Sequence, residues 1–71
     1  MADNIYSKTE IVGTSTDGVE EAIRGAVRRA SQTMHEVDWF EVSEIRGHVE
    51  KGEVGHFQVT LKVGFALEDT K

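Results

Sequence analysis

The sequence predicts a small α+β domain whose elements follow the order strand, helix, strand, strand. Residues 17–34 carry an apolar stripe with helical spacing. Residues 53–67 alternate strictly between apolar and polar side chains, as a half-buried strand does. Lys51 and Gly52 separate this segment from an earlier alternating one and form a typical hairpin turn. A chain of 71 residues suffices for one such domain, spanning residues 1–71.

The first strand is predicted for residues 5–12, and the helix follows a short turn. The helix is expected to begin near Asp17, which can cap it in a capping box with Glu20. Gly25 costs about 1 kcal/mol relative to alanine within a helix, and its missing side chain would permit close packing. The apolar stripe that faces the sheet comprises Val19, Ala22, Ile23, Ala26, Val27, Ala30 and Met34.

The second and third strands, residues 37–50 and 53–67, form the predicted hairpin. Strands of about 14 residues reach roughly 45 Å, whereas a helix of about 17 residues spans only roughly 25 Å. One helix therefore leaves part of the sheet to be solvated or covered by another copy of the chain. The apolar face of the third strand consists of Phe57, Val59, Leu61, Val63, Phe65 and Leu67.

Trp39, the only tryptophan, is predicted to lie on the polar face of the sheet. Counting back from the two-residue turn places Trp39 opposite Gly64, which would leave the indole ring uncovered. The same register places Ile45 opposite Gln58, so that Gln58 shares the face of Trp39. A large aromatic ring on this face needs a partner, either another subunit or a flat ligand.

Charge and composition exclude several classes of function. The net charge of -5 argues against a nucleic-acid-binding protein, which needs a basic surface. No apolar run approaches the roughly 20 residues of a membrane span, and a cytoplasmic protein is expected. The chain has no cysteine, which excludes disulfides, so self-association is the remaining way to stabilise so short a domain. Residues 1–4 and 68–71 are expected to be flexible.

No catalytic or metal-binding motif is evident. The turn after the first strand lacks the lysine of a phosphate-binding loop, and no serine lies in a nucleophile motif. His48 and His56 can meet across the hairpin, and His35 is the third histidine of the chain. Zinc sites normally use three or four protein ligands, and no third ligand is evident, so no metal site is predicted.

Several short segments resemble a known family. They are Trp39-Phe40-Glu41-Val42, Ile45-Arg46-Gly47, Phe57-Gln58-Val59-Thr60 and Val63-Gly64-Phe65, together with the Glu10-Ile11-Val12-Gly13-Thr14-Ser15 that precedes the helix. Over roughly residues 6–68 and without gaps, the chain resembles the dodecins. The resemblance implies a three-stranded antiparallel sheet partly wrapped around one helix. It also implies a homododecamer, a hollow sphere of twelve copies.

The resemblance further implies a flavin site. Dodecins are cytoplasmic proteins of bacteria and archaea that store or buffer flavins and quench their photochemistry, and they are not regarded as enzymes. Their flavins bind in pairs across two-fold axes. Each isoalloxazine ring would stack on Trp39, with Gln58 hydrogen-bonded to its polar edge and Arg46 close by. Bacterial members that resemble this chain favour FMN, and some also bind coenzyme A.

One part of the implied site conflicts with strict strand alternation, which places Arg46 on the helix side of the sheet. A β-bulge near Gly47 would turn Arg46 toward the tryptophan side. Alternatively, Arg46 lies beyond the helix end, where the two sides no longer differ. Glu44 and His48 raise the same question, and we place both near the ribityl chain of the flavin.

Three functions are therefore compared. The first is a non-enzymatic flavin-binding homododecamer that sequesters FMN or riboflavin. The second is a structural oligomer or protein-interaction module whose tryptophan only packs subunits together. The third is a flavin-dependent reductase, which needs an open flavin face for its substrate. Two flavins stacked between two tryptophans would leave little room for one.

Overall fold

The computed structural model describes residues 4–33 and 36–67. The chain forms β1 (Tyr6–Ser15), α1 (Val19–Thr33), β2 (Trp39–Glu50) and β3 (Glu53–Ala66). Both pairings are antiparallel and the strand order is β1-β3-β2, so β3 is central. The predicted α+β fold and element order are confirmed. The expectations for residues 1–3, for Met34 in the helical stripe and for residues 68–71 lie outside the described residues.

The core lies between α1 and the central strand. Val59, Leu61 and Val63 of β3 are fully buried, and they pack against Ala22 and Ala30 of the helix. The central position explains the strict alternation of β3, because both of its edges are paired and one of its faces is covered. The small alanine side chains of the helix shorten the distance between helix and sheet, which allows this small core to pack closely.

The close approach of helix to sheet depends on Gly13, in β1. A Cβ atom added to Gly13 would overlap the carbonyl oxygen of Ala22 and lie 2.9 Å from the Cβ of Ala26. A Cβ added to Gly25 would have no neighbour within 4 Å among the described residues, apart from the backbone of its own helix. Within the part of the chain that the structure describes, the close approach of helix to sheet thus depends on the missing side chain of Gly13 and not on that of Gly25.

The helix begins without the predicted capping box. The carbonyl of Gly18 accepts the first helical hydrogen bond. The backbone N–H of Asp17 donates to Ser15 Oγ at 2.9 Å, and Glu20 forms an ion pair with Arg24 at 2.8 Å. The side chains of Asp17 and Glu20 thus do not form the hydrogen bonds of a capping box. Glu20 still lies in the first turn, where a negative charge interacts favourably with the helix dipole.

The turn between β2 and β3 is the predicted one. Lys51 has a φ of 54° and Gly52 a φ of 78°. Two successive residues with positive φ are the mark of the type I′ turn, whose twist matches that of the flanking strands. A left-handed conformation is unfavourable for lysine. Pairing of the two strands in the hairpin offsets this cost at Lys51.

The register between β2 and β3 matches the prediction at both ends of the hairpin but differs in the middle. Glu50 pairs with Glu53 beside the turn, and Trp39 pairs with Gly64 at the far end. Between these pairs the register shifts by one residue twice, in opposite directions. The two shifts cancel. Counting from the turn therefore predicts the pairs at the far end correctly but does not reveal either shift.

Each shift is a β-bulge with one unpaired residue. Ser43 is the extra residue of the first bulge, in β2, and Gly55 is that of the second, in β3. Between the bulges Arg46 lies opposite Gln58. The prediction that Ile45 faces Gln58 was therefore wrong, because strict alternation does not hold through Ser43.

The hairpin projects beyond the helix, and the chain is elongated, with principal extents of 57 × 20 × 14 Å. The helix packs on β1 and β3. Apolar side chains on the helix side of β2 remain exposed: Phe40 at 48%, Val42 at 37% and Ile45 at 55%. In the part of the chain that the structure describes, no helix is both long enough and apolar enough to cross a membrane.

Candidate ligand-binding face of the sheet

The sheet has an outer face, opposite the helix, which carries every residue predicted for the site. Residues paired across antiparallel strands project their side chains to the same side. Because Val59, Leu61 and Val63 face the helix, the residues between them face outward. From one end to the other, the outer face presents the rows Lys8–Gly64–Trp39, Glu10–Lys62–Glu41, Val12–Thr60–Glu44, Thr14–Gln58–Arg46 and His56–His48.

Trp39 lies in the first of these rows, at the start of β2, and its ring covers Gly64. A Cβ atom added to Gly64 would overlap Cε2 and Cζ2 of the indole and lie 2.7 Å from Cδ2. The expectation that Gly64 leaves the ring uncovered was therefore wrong, because the missing side chain makes the space that the ring occupies. Trp39 is half-buried, so part of the indole stays accessible.

Strand β1 contributes two neighbours to the tryptophan. The ring of Tyr6 lies 6.0 Å from the Trp39 ring, centroid to centroid, at an interplanar angle of 57°. The ammonium group of Lys8 lies 5.9 Å from the ring centroid and 3.2 Å from Glu41 Oε1. Both charged side chains are about half exposed, so this ion pair adds at most about 1 kcal/mol to stability. Its main effect is to hold a cation over the indole ring.

The bulge at Ser43 decides the position of the remaining predicted residues. It shifts the alternation of β2 by one, so that Glu44, Arg46 and His48 all face outward. The predicted mechanism, a bulge that re-aims Arg46, is confirmed, but the bulge lies four residues before Gly47. Placement of Arg46 on the helix side by strict alternation was wrong.

The structure brings Arg46 together with Gln58, but it keeps both away from Trp39. Gln58 and Gly64, which mark their two rows on β3, are six residues apart in one strand. Six residues of extended strand correspond to about 20 Å. A single tricyclic ring cannot contact Trp39 and Gln58 of the same chain at that distance. The outer face of one chain therefore holds two separate halves of the predicted site.

Comparison with known proteins identifies the family. The Dodecin family model matches residues 5–68. The chain belongs to the dodecin family. The dodecin of Thermus thermophilus is 52% identical over 66 residues, which cover 93% of this chain and 96% of that protein.

Solved dodecin structures agree with the fold. The dodecin of Streptomyces coelicolor is 56% identical, with a TM-score of 0.88 over 99% of this chain and 100% of the other. The dodecin of Streptomyces davaonensis is 53% identical, with a TM-score of 0.88 over 96% of this chain and 100% of the other. The expected dodecin fold, a three-stranded antiparallel sheet with one helix, is thus confirmed.

Sequence reasoning missed part of the tryptophan environment in this dodecin chain. Tyr6 was not assigned a role, and Lys8 was not placed beside the tryptophan. Both belong to β1, and the pattern of its residues did not predict that it pairs with β3. The available signal was the alternation of β1, which places Tyr6 and Lys8 on one side of the strand.

Proposed function

We propose that this dodecin chain is a non-enzymatic protein that stores FMN or riboflavin on Trp39 and quenches the photochemistry of the bound flavin. The observation that carries the proposal is the half-buried indole that lies over Gly64 on a largely polar face. Membership of the dodecin family supports it. A cytoplasmic location belongs to the same proposal and rests on the family resemblance.

The environment of Trp39 suits a stacking partner. Stacking of a planar ring on an aromatic side chain contributes about 1–3 kcal/mol per ring, by analogy with nucleic-acid bases. Gly64 and Tyr6 fix the indole before the ligand arrives, which lowers the entropic cost of binding. An indole is also electron-rich, so a stacked Trp39 can donate an electron to an excited flavin and quench its fluorescence.

The second half of the site suits the polar edge of the flavin. The amide of Gln58 offers both a donor and an acceptor, which can pair with the uracil-like edge of the isoalloxazine. Arg46, directly across the strand pair, adds a charged donor beside it. Glu44 and His48 lie in the rows on either side of Arg46, and we assign both to the ribityl chain. Coenzyme A, the second ligand that the resemblance implies, has no assigned residues.

A complete pocket requires two copies of the chain. A two-fold axis through the outer face near position 61 of β3, midway between Gln58 and Gly64, would place the tryptophan of one copy on the glutamine of the other. The resulting contact is self-complementary and forms two equivalent flavin sites. The separation of about 20 Å between the two halves within one chain is the reason for this inference.

The helix side of the sheet also favours self-association. Phe40 closes a groove of about 690 Å³ against the helix, and its ring is 48% exposed. Contiguous apolar surface of this kind marks an interaction site. Arg24 and Arg28 line the charged margin of the groove, and its apolar floor comprises Val19, Ile23 and Val27. A second copy of the chain is the proposed occupant, and a homododecamer is the proposed assembly.

The two-copy pocket can be tested by complementation between two inactive variants. Trp39→Ala and Gln58→Ala chains should each bind FMN much more weakly than the wild type. Mixed, unfolded and refolded together, they should regain tight binding at roughly a quarter of the sites, because a wild-type tryptophan then meets a wild-type glutamine from the other chain. If both residues act within one chain, the mixture will bind no better than the variants alone. FMN fluorescence quenching measures the outcome.

The rival, a structural oligomer without flavin, is favoured by the same exposed apolar residues, because assembly needs no ligand. Refolding with excess FMN followed by gel filtration separates the two functions. The flavin-storage proposal expects a yellow protein with quenched fluorescence, whereas the rival expects no absorption of visible light to be retained. Oxidation of reduced nicotinamide by the flavin-loaded protein would instead support the reductase.

A further inference from the structure

Two histidines face each other at the tip of the hairpin. His48 of β2 pairs directly with His56 of β3, and their ring centroids are 5.5 Å apart at an interplanar angle of 17°. β1 ends opposite Phe57, so it does not extend beside this pair. His48 is exposed and His56 is half-buried. The two imidazoles are therefore accessible from the outer face.

Their separation suits two imidazoles bound to one metal ion. Zn–N bonds are about 2.05 Å long, and tetrahedral coordination then places two ring centres about 5.2 Å apart. The observed separation of 5.5 Å is close to this value. Rotation of each ring about its Cβ–Cγ bond leaves the ring centre nearly in place, so both rings can turn a nitrogen toward a shared ion without backbone movement.

The second β-bulge supplies space for a third donor. A Cβ atom added to Gly55 would lie 3.5 Å from Cδ2 of His48 and 3.6 Å from Oε1 of Glu50. The carboxylate of Glu50 and the ring of His48 thus flank the volume that a side chain at position 55 would fill. Carboxylate oxygens and imidazole nitrogens together form a common zinc ligand set.

We propose that His48 and His56, with Glu50 as third ligand, bind one divalent transition-metal ion such as Zn²⁺. Within residues 4–33 and 36–67, no three such side chains already stand at positions suited to a metal ion, so the Glu50 side chain must rotate and water must complete the coordination. No metal site was predicted from the sequence because no third ligand was evident, and Glu50, beside the bulge at Gly55, would supply that ligand after its side chain rotates. Imidazole ligands select transition metals over Ca²⁺ and Mg²⁺, which prefer oxygen.

The test is a titration of the full chain with Zn²⁺ in the absence of flavin, after removal of metals by a chelator. Competition with a chromophoric chelator should show one Zn²⁺ per chain. His48→Asn and His56→Asn should each weaken the affinity by about tenfold or more, and Glu50→Gln by less. His35→Asn is the matched control, because it removes the remaining histidine of the chain. It should leave the affinity unchanged.

The readout must also report which groups bind the ion. The imidazole proton resonances of His48 and His56 should shift together on addition of Zn²⁺, while Ca²⁺ should produce no shift. Wild-type Zn²⁺ affinity in either asparagine variant would overturn the proposal. So would an equal loss of affinity in the control variant, which would indicate nonspecific binding to histidine. Neither result depends on whether the protein binds flavin.

Discussion

Gly64 provides the sharpest test of the tryptophan site, because a single methyl group there collides with the indole. The structure predicts that the Cβ of Gly64→Ala overlaps Cε2 and Cζ2 of Trp39. These atoms belong to a rigid ring, so the ring must move as a whole. The backbone at position 64 does not have a positive φ, so alanine is compatible with it. The substitution therefore displaces the ring without removing it.

The expected effect on binding follows from the stacking energy. Loss of one stacking contact costs about 1–3 kcal/mol, which corresponds to a decrease of about 5- to 140-fold in FMN affinity. Overpacking costs about 1–3 kcal/mol of stability, and about 0.5–1 kcal/mol is recovered because glycine is unfavourable in a strand. The variant should therefore fold while binding FMN weakly.

The assay is quenching of FMN fluorescence on titration with protein, performed on a double-mutant cycle. Gly64→Ala should weaken binding in the wild-type background but should have no further effect in Trp39→Ala, because the displaced group is then absent. An equal loss in both backgrounds would show that alanine at position 64 acts by another route. Wild-type affinity of Gly64→Ala would refute the inference that Gly64 positions the indole for stacking.

Four further predictions concern other parts of the chain. Gln58→Ala and Arg46→Ala should each weaken FMN binding by about 1–3 kcal/mol, measured by the same titration, and combine non-additively because the two residues are paired. Gly13→Ala should destabilise the fold by about 1–3 kcal/mol in thermal melts at fixed protein concentration, because its Cβ would overlap the Ala22 carbonyl oxygen. Gly25→Ala should stabilise the chain by about 0.5–1 kcal/mol in the same melts, since its Cβ would meet no described residue outside its own helix within 4 Å. Phe40→Glu should yield smaller species in native mass spectrometry, because it charges the groove against the helix.

The sequence predicted the central strand most reliably, and the reason is physical. β3 is paired on both edges and covered on one face, so burial alone determines the identity of its alternate residues. The two-residue turn then set the pair Trp39–Gly64 correctly. The helix start was less predictable, because Asp17 and Glu20 satisfy the capping motif by type but have other partners.

The middle of the hairpin was not predictable from alternation. A bulge at Ser43 and another at Gly55 cancel, so both ends of the register look regular. No strong turn or proline signal marks Ser43. One clue was the charge of Arg46, which would otherwise have shared the apolar side of β2 with Phe40. The other was the family resemblance, which implies that Arg46 lies close to the flavin. A charged residue at a position that alternation assigns to the apolar face thus indicates such a bulge.

The bulge at Ser43 also explains how one strand serves two surfaces. Before it, Phe40 and Val42 point toward the helix side while Trp39 points outward. After it, Ile45 returns to the helix side and Arg46 points outward, opposite Gln58. Without the extra residue, each side chain after position 43 in β2 would lie on the opposite face of the sheet. Arg46 would then face the helix side, and Ile45 would face outward. The bulge therefore keeps the apolar surface and the polar half of the site continuous along the same strand.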